Sequence, residues 1–152
     1  RLGTPGAEQW RARYDAAGLD PVVELVTSQG AEVIWVGMPA VEEPDSTLVL
    51  VELNSADEDL EDRFPGVRYV PGGEYVSSPE GGYTDVLEGP DGPERVRRVD
   101  GLHLCPGGAV RLAQPVLDLI EARWAVPVAE DWTTGEWREP PLLQEPEECP
   151  AP

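Results

Sequence analysis

The stretch RRVDGLHLCPGGAVRLAQ, residues 97–114, gathers side chains that could do chemistry. His103 is the only histidine in the 152-residue chain; Asp100 stands three positions before it, and Cys105, one of two cysteines, stands two after it. In a turn, an aspartate so placed can orient the imidazole and stabilise its protonated form, while the other ring nitrogen takes a proton from a serine. The same spacing also fits a structural turn in which Asp100 caps the backbone and His103 packs at a helix start.

A serine to complete such a site is not evident. Ser28 reads as lying near a helix end, Ser46 as a helix cap, Ser55 as part of an acidic helix or turn, and Ser77 with Ser78 as loop residues. The acidic run ADEDLED, 56–62, has carboxylates that a hard cation would use, but it lacks the spacing of a calcium-binding loop and reads as a solvated helix face. The Gly-Gly pairs at 72, 81 and 107 are not followed by the Lys and Ser or Thr of a phosphate loop. Two cysteines 44 positions apart and a single histidine cannot build a four-ligand zinc site. Cys105 and Cys149 read either as a disulfide, which requires an oxidising compartment, or as two unrelated thiols.

The elements that would carry these residues alternate. Residues 5–29 are expected to be helical in two pieces, with Trp10 and Tyr14 on one face and Asp20-Pro21 restarting the helix as N-cap and first-turn proline. The apolar run VIWV, 33–36, predicts a strand covered on both sheet faces, as in a parallel α/β architecture. Residues 47–64 combine a β-branched start with an acidic, helix-compatible end, and a helix is the preferred reading. VRYV, 67–70, is a short strand, residues 71–82 a glycine-rich loop, and GPDGP, 89–93, the turn of a hairpin with arms YTDVLE and ERVRRV. From Pro106 an amphipathic helix presents Ala109, Leu112, Ala113, Val116, Leu117 and Ile120, with Pro115 expected to kink or split it. This gives an expected domain over residues 1–126 and an irregular tail over 127–152, anchored by Trp132 and Trp137.

Eleven basic against thirty acidic residues give a net charge of −19, which repels phosphate backbones and anionic headgroups. Nucleic acid and direct membrane contact are therefore not expected. No apolar run approaches the roughly 18 residues of a membrane span. The chain opens on Arg1 with no leader-like segment before Trp10, so it reads as cut from a longer protein.

The segment VDGLHLCPGGAVRLAQPVLDLI resembles the last sequence block of the SGNH hydrolases, also called the GDSL esterase and lipase family, in which a DxxH motif precedes the final helix. The likeness extends upstream through the helix with Trp10 and Tyr14, VIWVGMP and FPGVRYV. Downstream, WTTGEW and the terminal Cys-Pro look like the tails of actinobacterial members. The resemblance implies a flavodoxin-like three-layer α/β/α fold, here its C-terminal part, with His103 as general base and then general acid and Asp100 orienting it. The family's nucleophile, in a GDS motif, and its oxyanion-hole glycine and asparagine have no counterpart: there is no GDS, and the single asparagine, Asn54, lies in LNSADED.

The resemblance further implies a serine ester hydrolase or O-acyltransferase working through an acyl-enzyme, with no metal or organic cofactor. The substrate would be an ester-bearing small molecule or an acylated surface glycan, outside the cytoplasm, where a Cys105–Cys149 bridge fits. A missing N-terminal part of the same domain would be the partner that brings the serine, and this stretch alone is expected to be inactive. Two rival readings stand beside it: a non-catalytic SGNH-like module that binds a glycan or partner, and a generic α/β domain.

Overall fold

In a computed structural model the described residues are 5–134 and 148–152. The chain starts as a helical arm, α1 (Pro5–Tyr14), a π-helical turn (Asp15–Leu19) and α2 (Asp20–Thr27). Trp10 and Tyr14 stack with ring centroids 5.2 Å apart, as their spacing predicts. The two pieces are joined without a break: Leu19 and Asp20 both have right-handed helical angles, so Pro21 enters a running helix and Asp20 is no N-cap. Asp20 instead pairs with Arg63.

The strand β1 (Val33–Val36) runs parallel to β2 (Val67–Val70), in the register Val33↔Val67 to Val36↔Val70. Between them lies α3 (Pro44–Arg63), so the ambiguous segment is helical. Its N-terminus is capped by the Glu43 carboxylate, which accepts from the backbone of Asp45 and Ser46, rather than by Ser46. A longer acidic side chain one turn earlier does the work expected of the serine. Then follow a short helix α4 (Gly72–Tyr75) inside the glycine-rich loop, the hairpin β3 (Val86–Gly89) and β4 (Gly92–Arg95), and α5 (Pro106–Trp124), which runs through Pro115 without splitting.

The period-two alternation of β1 separates two faces. Val33 and Trp35 face α2 and α3 and join a core of Leu19, Val23, Ala56, Leu60 and Val67. Leu60 and Val67 are fully buried, each contributing on the order of 1.5–3 kcal/mol. Val36 faces the other way, towards Leu112 and Val116 of α5. The structure is thus mixed α/β, with helices on both sides of a small parallel sheet.

Coverage of that sheet is uneven, contrary to the expectation for VIWV: all four β1 residues are only half-buried. On the α5 side an almost wholly apolar groove of about 570 Å³ remains open, lined by Val36, Leu104, Ala109, Leu112, Val116 and Trp132. β1 pairs with β2 alone among the described strands, so its second edge carries no partner strand. Of the two tryptophans expected to anchor the tail, Trp132 lines this groove and Trp137 lies outside the described residues.

One polar residue sits within the core. Asp57, from the run expected to be a solvated face, is 2% exposed and takes hydrogen bonds from Tyr14 and Trp35. Burial pushes its pKa up, against the pull of those two donors. Asp59, two residues further on, is exposed and pairs with Arg11.

A candidate acid–base site

Beyond β4 the chain crosses back on itself. Val96 and Arg97 both donate to the Asp85 carbonyl, Arg97 bridges to Leu104, and Cys105 N–H donates to the Val96 carbonyl. The loop 98–103 thereby closes as a tight excursion carrying Asp100 and His103. At its tip Gly101 has φ +68°, and a Cβ there would run into the Glu42 side chain. Glycine meets both demands. At the loop's exit Gly107 and Gly108 begin α5: a Cβ at Gly108 would run into the Val96 carbonyl, and one at Gly107 would displace the end of the Glu94 side chain. The Gly-Gly pair at 107 is thus a packing device.

Asp100 does two things at once. Its Oδ1 accepts from the backbone N–H groups of Leu102 and His103 at 2.9 and 3.0 Å. Its Oδ2 lies 2.6 Å from Nδ1 of His103. The turn-capping and imidazole-orienting readings of the sequence therefore describe the same carboxylate. The His103 hydrogen bond first, and then the two backbone donors, lower the Asp100 pKa to about 2. This selects the tautomer with the proton on Nδ1, and leaves Nε2 with no hydrogen-bond partner among the described residues. The imidazole is 65% exposed, so that nitrogen can be reached from outside.

The loop is held from three sides. Its consecutive carbonyls at Gly101, Leu102 and His103 accept from Glu42 N–H, the Arg97 guanidinium and Arg98 N–H. Glu42 lies six residues after β1, so the loop is tied to the segment that leaves the carboxyl end of that strand, and Leu104, next to His103, shares a groove with Val36 at that end. That segment is itself fixed: Asn54 bonds both N–H and C=O of Met38, and Thr47 bonds both of Val41. The chain's single asparagine is thus a loop clamp.

The third brace is the chain's end. Cys105 and Cys149 form a disulfide, Glu148 accepts from Val99 N–H and pairs with Arg98 at 2.6 Å, and Arg95 donates to the Pro150 carbonyl. The choice the sequence left open between a bridge and two thiols is resolved as a bridge.

None of the five serines hydrogen-bonds His103. Ser28 bonds the Leu25 carbonyl, Ser46 faces Glu43, Ser78 takes the N–H of Gly82, and Ser55 is exposed on α3. The sequence reading missed Arg97, which lies in a hairpin arm that looks solvated but is 1% exposed. Its only signal was its place three residues before Asp100.

Fold and site together define a mixed α/β domain with an exposed, carboxylate-oriented histidine on a braced loop beside a parallel strand. The chain belongs to a family described as a protein of unknown function (DUF459), whose profile matches residues 2–119. That span contains every element from α1 to β4, the Asp100–His103 loop and most of α5. No curated protein matches the chain.

Proposed function

We propose that this chain is the acid–base part of an SGNH-type serine ester hydrolase or O-acyltransferase domain. The observation that carries the reading is the 2.6 Å Asp100–His103 contact, with Nε2 left open, beside the carboxyl end of β1. In open α/β sheets that end is where ligands and catalytic groups collect. A serine hydroxyl attacks the ester carbonyl and passes its proton to His103 Nε2. The alkoxide leaves with that proton, and water or a sugar hydroxyl then takes the acyl group from the serine.

The serine and oxyanion donors come, in this reading, from sequence upstream of Arg1. The partnerless edge of β1 and the open apolar groove against α5 support it, because a parallel sheet is ordinarily wider and covered on both faces. Residues 1–126 are then the second half of the domain, and 127–152 a tail on it. The disulfide suits a site outside the cytoplasm, acting on an ester-bearing small molecule or acylated glycan. The described helices include none long and apolar enough to cross a membrane.

The test joins the upstream sequence to this chain and follows p-nitrophenyl acetate hydrolysis. His103→Ala is expected to reduce turnover by about 10²–10⁴-fold, the usual worth of a positioned acid–base group. Wild-type turnover in that variant removes His103 from the chemistry. That none of the five serines hydrogen-bonds His103 also fits a binding module without a nucleophile. An inactive extended chain that retains a glycan ligand would favour that second reading.

A further inference from the structure

Arg97 is a buried cation with no carboxylate beside it among the described residues, in a chain of net charge −19. Its Nη1 donates to the Leu102 carbonyl at 3.1 Å and its Nη2 to the Ala40 carbonyl at 2.7 Å. Nε is buried and finds no acceptor among the described residues. The guanidinium carbon lies 5.9 Å from the ring centroid of Tyr83. Burying a charge is costly unless its donors are matched, and two backbone carbonyls and an aromatic face match this one incompletely.

Both carbonyls that the guanidinium holds have positional meaning. Leu102 directly precedes His103, and Ala40 lies four residues after the end of β1. Glu42 N–H to the Gly101 carbonyl is a second tie between the same two loops. Among the described residues Arg97 is the only side chain that spans them by two hydrogen bonds, and its planar fork sets their spacing in a way that a single-point donor cannot.

We propose that Arg97 is a positioning residue: it locks the Asp100–His103 loop to the segment following β1, and so fixes where His103 Nε2 stands at the carboxyl end of the parallel sheet. The consequence for turnover rests on the proposed serine-hydrolase reading; the consequence for the loop does not.

The experiment compares Arg97→Lys and Arg97→Met with wild type. The first readout is the imidazole ¹H–¹⁵N correlation spectrum of His103 in this chain with its disulfide intact. Wild type should give one tautomer with the proton on Nδ1. Arg97→Met should give mixed tautomers and faster exchange of the Leu102, His103 and Glu42 amides, with Arg97→Lys between the two. Lys keeps the charge and one hydrogen bond, so it carries the test if the Met variant fails to fold. A folded Arg97→Lys or Arg97→Met protein with the wild-type tautomer and amide exchange overturns the proposal.

In the chain extended upstream, the folded variants should lose up to about 100-fold in kcat with KM little changed, as expected for a misplaced catalytic group. A loosened loop with no His103-dependent hydrolysis in wild type sinks the catalytic reading and leaves the positioning role intact. An unperturbed loop sinks the positioning role whatever the activity.

Discussion

The parallel pair β1–β2 and the hairpin β3–β4 have strands of equal length, four residues each, yet they are finished to different degrees. Around the hairpin and the loop that follows it, the backbone groups of residues 95–105 are met by a neighbour at almost every step: Asp85, Glu42, Arg97, Glu148 and the Cys105–Cys149 bridge. Around β1 one strand edge has no partner among the described residues, and an apolar groove stands open against α5. Leu48, Val49 and Val51 of α3 are also more than half exposed. The Asp100–His103 pair is thus mounted on the closed side of the molecule, and in the proposed reading the open side is where a further strand and its loops would fit. A braced histidine without a serine fits a site completed from that open side.

The largest effect should come from releasing the chain's end from the braced side. Cys149→Ser opens a loop whose ends are 44 residues apart in sequence, which should cost about 2–4 kcal/mol in urea unfolding. The same substitution should broaden the amide signals of Val99 to His103 more than those of β1 and β2. Equal disturbance of both regions, or none near Asp100, would show that the tail stabilises the fold without bracing the loop.

The two regions also differ in how far they could be read in advance. VIWV, VRYV and the apolar side of α5 declare themselves by composition and period, because burial against a sheet or helix selects them residue by residue. The DxxH spacing gave both roles of Asp100, since one carboxylate has two oxygens and each found the use that its distance from His103 allows. Long-range ties left no such mark. Arg97 looks like its neighbours Arg95 and Arg98, and only the return of Leu104 beside it makes it buried. Asp57 looks like the rest of an acidic run, and the approach of Tyr14 and Trp35 turns it inward. The disulfide was one of two open possibilities until Cys149 was placed beside Cys105. That α5 leaves its apolar side half-covered is likewise invisible from a pattern that specifies only that such a side exists.

A smaller effect isolates the Asp100–His103 pair within the braced region. The Asp100 pKa is lowered to about 2 from an ordinary 3.8, so the folded state favours the ionised carboxylate. Its contribution to stability is therefore complete above about pH 4 and is lost as the pH falls through 3.8 towards 2. The pair is solvent-exposed, which limits that contribution to no more than about 1 kcal/mol. Asp100→Asn should be less stable than wild type at pH 5, with the gap closing by pH 2. A gap that stays constant with pH would mean that the turn, rather than the charge, accounts for the difference.

The smallest effect belongs to the open side and can break the comparison. Leu48 is 65% exposed although it lies mid-stripe in TLVLVEL, a segment apolar enough to have passed for a strand. If this face of α3 has no neighbour in the chain, Leu48→Gln removes little buried area and should change unfolding free energy by less than about 0.5 kcal/mol. Helix propensity barely distinguishes the two residues, so packing is all that the substitution reports. A cost of about 2 kcal/mol or more would mean that something in this chain already covers α3. The open side would then be closed as the hairpin side is, with less room for the segment that the proposed site requires.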